Sequence, residues 1–329
     1  MEKEHEKEPL FMNLHSDYAF KQVFGSEQNK SITIQFLNAL FEGEFVVNDL
    51  CFHDKEVLPS EEEGKRILYD VYCTHVGNKA GEATAADDES TIGKGEHFII
   101  EMQNSYEPLW ESRAIGYTAA AVYHQFRRGE EYTFAPVFSI FVMDFSLSGM
   151  SRRLKHDIRF ADIETHERLS DDVRLLFLSL KEVKKKWEEC TTELERLLFL
   201  IKNMHKMDKE STPYQEKNYY KLFHASEMPP RCSEEYVYYS QSVLKMKENQ
   251  RAVDYAAKKA RAEGMAEGIE KGIEKGMAEG IEKGIEKGER MAKQQTAINL
   301  YKAGIGIDLI CAATGLDQHS VKSLIDSIG

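Results

Sequence analysis

Residues 67–76 read ILYDVYCTHV and residues 97–108 read HFIIEMQNSYEP. Both runs are rich in β-branched and aromatic side chains with partial two-residue alternation, the pattern of strands. Each also carries an acid, Asp70 in the first and Glu101 in the second. A carboxylate inside an apolar strand is costly to bury unless it is paired, hydrogen-bonded or bound to a metal, so two of them on neighbouring strands form a candidate functional site. Glu101 and Gln103 stand two residues apart and therefore on one face. If the segment between the runs closes an antiparallel hairpin, Asp70 falls opposite Glu101, which brings both carboxylates to one cation.

Working outward, SDYAFKQVFGSEQNKSITIQFLNALF (16–41) repeats its large apolar residues at helical spacing, which predicts two helical pieces hinged near Gly25, with Ser16 or Asp17 as N-cap. Residues 45–52 read as a first strand. GNKAGEATAADDESTIGKGE (77–96) has hardly a large apolar side chain and predicts a solvated loop. Trp110, Ala114, Tyr117, Ala121 and Phe126 recur at a helical period, and FAPVFSIFVMDF (134–145) is dense enough for a buried strand. The order is helix, three strands, helix, strand, an α/β core over 1–150.

Beyond residue 150 the sequence predicts a helical extension (151–250), in which Thr192 and Glu195 fit a capping box. GMAEGIEKGIEKGMAEGIEKGIEKG (264–288) then places glycine at every fourth position. Interior glycines each cost a helix roughly 1 kcal/mol, so residues 251–288 read either as a charged spacer or as a helix that self-associates into a homo-oligomer. Residues 289–329 predict a small helical bundle, with Gly315 at a tight turn and Asp317 capping the last helix, a weak likeness to a helix-turn-helix.

Composition narrows the function. With 43 Lys and Arg against 56 Asp and Glu, the net charge of -13 excludes a nucleic-acid binder that works through bulk positive charge, and DNA contact must use a local basic patch. Five scattered cysteines make neither a disulfide framework nor a zinc cage, which points to a reduced cytoplasm. The longest apolar stretch, 134–145, contains Pro136 and Asp144 and is shorter than the roughly 20 residues of a membrane span.

The order of DYAFKQVFG, FLNALF, YDVYC, EMQ, RAIGY and APVFSIFVMDF resembles the recombination-promoting nuclease (Rpn) or putative transposase family, within the PD-(D/E)xK nuclease superfamily. The resemblance is closest over residues 12–150 and continues more loosely through LKEVKKKWEECTTELERLLFLIK, the glycine-spaced segment and the terminal ATGL. It implies a restriction-endonuclease-like αβββαβ core followed by an all-helical C-terminal region, and DNA as the substrate. Asp70 and Glu101 occupy the positions of the acids that bind Mg²⁺ or Mn²⁺. A metal there polarises the scissile phosphate and acidifies a bound water. Two positions depart from the superfamily pattern: Tyr69 stands where it has proline, and Gln103 where it has lysine. Gln103 can orient water or bond a phosphate but supplies no charge. Arg113, at the position of a family arginine, is the leading substitute cation, with Tyr117 one helical turn on; Lys21 on the first helix is a lesser candidate, and Asp17 a distant additional carboxylate.

Each of these has a plainer alternative. Asp70 and Arg113 can form a structural ion pair, Gln103 can be simply solvated, and Tyr117 can belong to the core. Arg127 with Arg128, the RRLKH run at 152–156, and Lys184 to Lys186 read as a phosphate track or as solvated faces. Two functions therefore stand: a metal-dependent DNA endonuclease using Asp70, Glu101, Gln103 and Arg113, and a catalytically silent DNA-binding or protein-interaction module that works through its helical C-terminal half.

Overall fold

The computed structural model describes residues 8–53, 56–57, 67–76, 95–129 and 131–327. Helix α1 (Asp17–Phe24) starts at Ser16, whose hydroxyl accepts from the Ala19 N–H at 3.3 Å, and ends at Gly25. It buries Phe20, Val23 and Phe24, while Asp17 and Lys21 sit one turn apart and make an ion pair. A single 3-10 turn (Glu27–Asn29) leads into α2 (Lys30–Leu40), so the predicted hinge at Gly25 is present.

The strands follow as β1 (Leu50–Phe52), β2 (Glu56–Val57), β3 (Ile67–Leu68), β4 (Val71–His75) and β5 (His97–Gln103). Helix α3 (Trp110–Tyr123) comes next, then β6 (Val137–Met143), β7 (Lys155–Arg159) and β8 (Val173–Ser179). Six of these strands form one sheet in the order β1-β4-β5-β6-β8-β7, and β2 pairs with β3. The centre is parallel (β5 with β6, β6 with β8), flanked by antiparallel neighbours on either side. Val71 lies opposite Ile100 and Tyr72 opposite Ile99, the register that carries Asp70 to Glu101. Residues 77–94, most of the predicted loop, lie outside the described residues.

Two features differ from the sequence reading. The run around Asp70 is not one strand: it breaks at Tyr69 and Asp70 between β3 and β4, because the Asp70 N–H is taken by a side chain. In addition, β7 and β8 fall in the stretch read as a helical extension and continue the sheet past β6. VRLLFLS, the sequence of β8, is a short apolar run buried on both sides, and apolar periodicity alone does not separate such a strand from a buried helix.

The sheet is covered on both faces, which is why its central strands are almost continuously apolar. Phe98, Ile100, Phe138, Ile140, Leu176 and Leu178 face the larger core, with Phe20, Phe24 and Phe36 of α1 and α2 and with Leu197 and Leu198 of α4 (Glu193–Asn203). Ile99, Phe141 and Phe177 face α3, where Trp110 meets Phe141 and Phe177 edge-on at 5.5 and 5.4 Å. Each such aromatic pair contributes about 1 kcal/mol beyond the area it buries. By the same alternation Glu101 and Gln103 lie on the α3 side.

Thr192 and Glu195 form the predicted capping box of α4. Short helices α5 (Thr212–Gln215) and α6 (Tyr220–Ala225) precede α7 (Glu234–Lys302), α8 (Ile307–Thr314) and α9 (Gln318–Asp326). The chain forms two compact units, Met1–Val253 and Asp254–Gly329. In the second, residues 264–288 are helical throughout, and a methyl at any of their seven glycines would meet nothing within 4 Å beyond the helix's own adjoining backbone. Ala297, Ile310 and Val321 make its small core, with Gly315 turning at φ +70° and Asp317 accepting from the Ser320 N–H as cap. Among the described residues no helix is long and apolar enough to cross a membrane.

Candidate active site

Asp70 and Glu101 are bonded into each other's strands. The Asp70 N–H donates to Glu101 Oε1 and the Met102 N–H donates to Asp70 Oδ2, both at 2.9 Å. Where a regular antiparallel ladder would exchange backbone bonds, two carboxylates accept them instead, and this reciprocal pair is what breaks the strand at Asp70. Asp70 is only 7% exposed and Glu101 only 3%. Of their other oxygens, Asp70 Oδ1 meets Lys21 Nζ at 3.2 Å, and Glu101 Oε2 has no hydrogen bond to a described residue.

Lys21 reaches the pair from α1, where Asp17 holds its Nζ at 2.8 Å. Arg113, in the first turn of α3, donates through Nη2 to Gln103 Oε1 at 2.6 Å and through Nη1 to Glu107 at 2.8 Å. The turn that launches α3 has Leu109 at φ +65°, a conformation unusual for leucine and characteristic of positions the surroundings over-determine. The alternative reading of an Asp70–Arg113 ion pair is not met among the described residues; the cation on Asp70 is Lys21. Gln103 is not merely solvated, because it anchors Arg113. Tyr117 lines the cleft and also packs edge-on against Tyr69, so it serves core and site together.

These groups form the floor and sides of a cleft of about 810 Å³. Its remaining wall is the first part of α7, including Tyr238, Ser242 and Lys245. Ser242 Oγ accepts from the Tyr18 N–H at 3.0 Å and the Tyr239 hydroxyl accepts from the Asn13 N–H at 2.9 Å, which fixes α7 to the segment that carries Asp17 and Lys21.

The electrostatics are those of crowded anions. Burial pushes the Asp70 carboxyl up to about 6, although Lys21 and the Met102 N–H work against it. Glu101 is raised well above the usual carboxylate range by burial and then by the charge of Asp70. Burial presses Lys21 toward its neutral form, but Asp70 and Asp17 outweigh it and hold the ammonium above its ordinary pKa. Lys21 is thus a permanent cation, not a base.

A family model described as PD-(D/E)XK nuclease family transposase matches residues 14–256. The chain belongs to that family. No curated protein and no solved structure matches it. The mixed sheet with helices on both faces agrees with the PD-(D/E)XK fold, whose members generally use divalent metals.

The side chains present suit such an ion. Two buried carboxylates stand side by side with one ion pair between them and a cation, Lys21 to Asp70, and burial raises the pKa of both. All donors are oxygen, the choice of hard cations. No group of three or more His, Cys, Asp or Glu side chains forms a metal cage among the described residues. Mg²⁺ is commonly held by one or two carboxylates with waters and substrate phosphates completing its shell, so two acids suffice.

Of the residues singled out in the sequence, Asp17, Lys21, Asp70, Glu101, Gln103, Arg113 and Tyr117 all line this one cleft. The basic runs at Arg127–Arg128, 152–156 and 184–186 do not; Lys155 donates to Leu40 O, and Lys184 and Lys185 pair with Glu182 and Glu195. Sequence reasoning gave Lys21 only as a lesser candidate, since its contact with Asp70 is long-range. It missed the α7 wall altogether, where the only signal is polar residues at four-residue spacing.

Proposed function

We propose that the protein is a metal-dependent DNA endonuclease of the transposase-associated type that hydrolyses phosphodiester bonds. The observation that carries this reading is the reciprocal bonding of Asp70 and Glu101 at a strand break on the floor of an open polar cleft. Buried acids held this way are costly to the fold and fit a cation-binding role. Asp70 and Glu101 would hold Mg²⁺ or Mn²⁺, and the bound ion would supply polarisation of the phosphate and an acidified water.

The chain's own residues do the rest. Lys21 orients Asp70 and places a permanent positive charge beside the site of reaction, the role that a lysine at position 103 would otherwise take. Gln103 and Glu107 hold the Arg113 guanidinium in place for a phosphate oxygen. The reading of a catalytically silent module was motivated by the missing lysine at position 103 and by the acidic net charge, and Lys21 and Arg113 answer the first of these with local positive charge.

Purified protein is expected to nick plasmid DNA with Mg²⁺ or Mn²⁺. Asp70→Ala and Glu101→Ala abolish nicking, and Lys21→Met lowers kcat about 100-fold, the size of losing one preorganised charge contact in a transition state. Nicking unchanged by Asp70→Ala overturns the assignment.

A further inference from the structure

Among the described residues three cations line the cleft, and two are already paired: Lys21 to Asp17 and Asp70, Arg113 to Glu107 and Gln103. Lys245, on α7, has no ion pair or hydrogen bond among the described residues. Gln241 and Asn249 stand one turn before and one turn after it on the same cleft-facing side, and they too are exposed and without hydrogen-bond partners among the described residues. Side chains four apart form a row along a helix. This one spans about 12 Å of axis, the rise of three to four nucleotides of a duplex strand at about 3.4 Å each. Tyr238 begins the same wall, stacked on Tyr18 at 6.2 Å and 54% exposed.

The floor of the cleft is acidic, with Asp17, Asp70, Glu101 and Glu107 lining it, and the whole chain is acidic as well. Lys21 and Arg113 each share their charge with acidic partners, and Lys245 adds a positive charge that has no such partner among the described residues. Amides pair with base edges, an ammonium with phosphate, and an exposed ring with a base face. Bonds from Tyr18 and Asn13 hold this wall at a fixed place beside the acids, so a strand bound to it is presented to them.

We propose that the α7 face formed by Gln241, Lys245 and Asn249 is the wall that holds the DNA strand in the cleft, with Lys245 on a backbone phosphate and the two amides on the adjoining nucleotides. The proposal rests on the nuclease reading and adds to it where the substrate runs. It makes these positioning residues rather than catalytic ones.

The test uses the full chain, a fluorescein-labelled duplex oligonucleotide, and Ca²⁺ in place of Mg²⁺ or Mn²⁺ so that binding is read without turnover. Lys245→Ala is expected to weaken binding and to lower the slope of log affinity against log salt by about one, the signature of one lost phosphate contact. Gln241→Ala combined with Asn249→Ala weakens binding about tenfold with the salt slope unchanged. Lys247→Ala, on the same helix but outside the cleft lining, is the control and changes neither. In cleavage with Mg²⁺ or Mn²⁺, Lys245→Ala raises KM and leaves kcat intact. Equal effects of Lys245→Ala and Lys247→Ala overturn the proposal even where the wild-type protein cleaves DNA. Wild-type binding that depends on Lys245 without any cleavage supports the wall and overturns the nuclease reading, and absence of wild-type binding overturns both.

Discussion

Asp70→Asn is expected to gain stability over the wild-type metal-free protein as pH rises, although it removes an ion pair. Asparagine keeps an oxygen for the Met102 N–H but sets its amide NH₂, a donor, where Oδ1 faces Lys21 at 3.2 Å. Keeping Asp70 ionised in the fold, with a pKa of about 6 against 3.8 for an ordinary aspartate, costs about 3 kcal/mol at roughly 1.4 kcal/mol per tenfold in acid dissociation. Because the folded value is the raised one, the cost is absent below the unfolded pKa, grows between about 4 and 6, and is constant above. The margin of the variant over wild type should therefore be about 2 kcal/mol larger at about pH 8 than at about pH 4.5, whatever asparagine does to the Lys21 contact. Trp110 and Trp187 both lie in the first unit, so tryptophan fluorescence during thermal unfolding reports that unit. The pH-dependent part corresponds to roughly 4–8 °C in Tm for a unit of this size. A margin that is equal at both pH values, or larger in acid, refutes the account of Asp70 as a buried anion short of positive charge.

His15 carries the opposite sign. Burial, helped by Lys206 and Lys202, lowers it to about 4, so the unfolded chain takes up the proton first and stability falls as pH drops from about 6.5 toward 4. His15→Asn flattens that part of the Tm profile, and an unchanged acid limb counts against it. Gly95→Ala places a methyl 1.8 Å from the His75 carbonyl oxygen across the β4–β5 ladder, and a loss of about 1–3 kcal/mol in urea unfolding is expected, the usual range for overpacking.

The alignment of Asp70 with Glu101 was legible because strand alternation and antiparallel register are local rules, and Val71 opposite Ile100 obeys them. The strand break was not, since it depends on where two side chains send their oxygens. β8 was hidden by its own burial, which leaves an apolar run with no face to show. Lys21 was visible as a lesser candidate on the first helix, and its contact with Asp70 was not, because the two are distant in sequence. Lys245 lies still farther along the chain, on a helix whose solvated and cleft-facing sides look alike in composition.

The exchange of backbone bonds for carboxylate bonds leaves two main-chain amides, those of Asp70 and Met102, reporting directly on the acids they serve. Their proton chemical shifts should follow each carboxylate's loss of a proton and its capture of an ion, one resonance per acid. The polypeptide thus contains a pair of native spectroscopic probes at its candidate site, readable without any turnover.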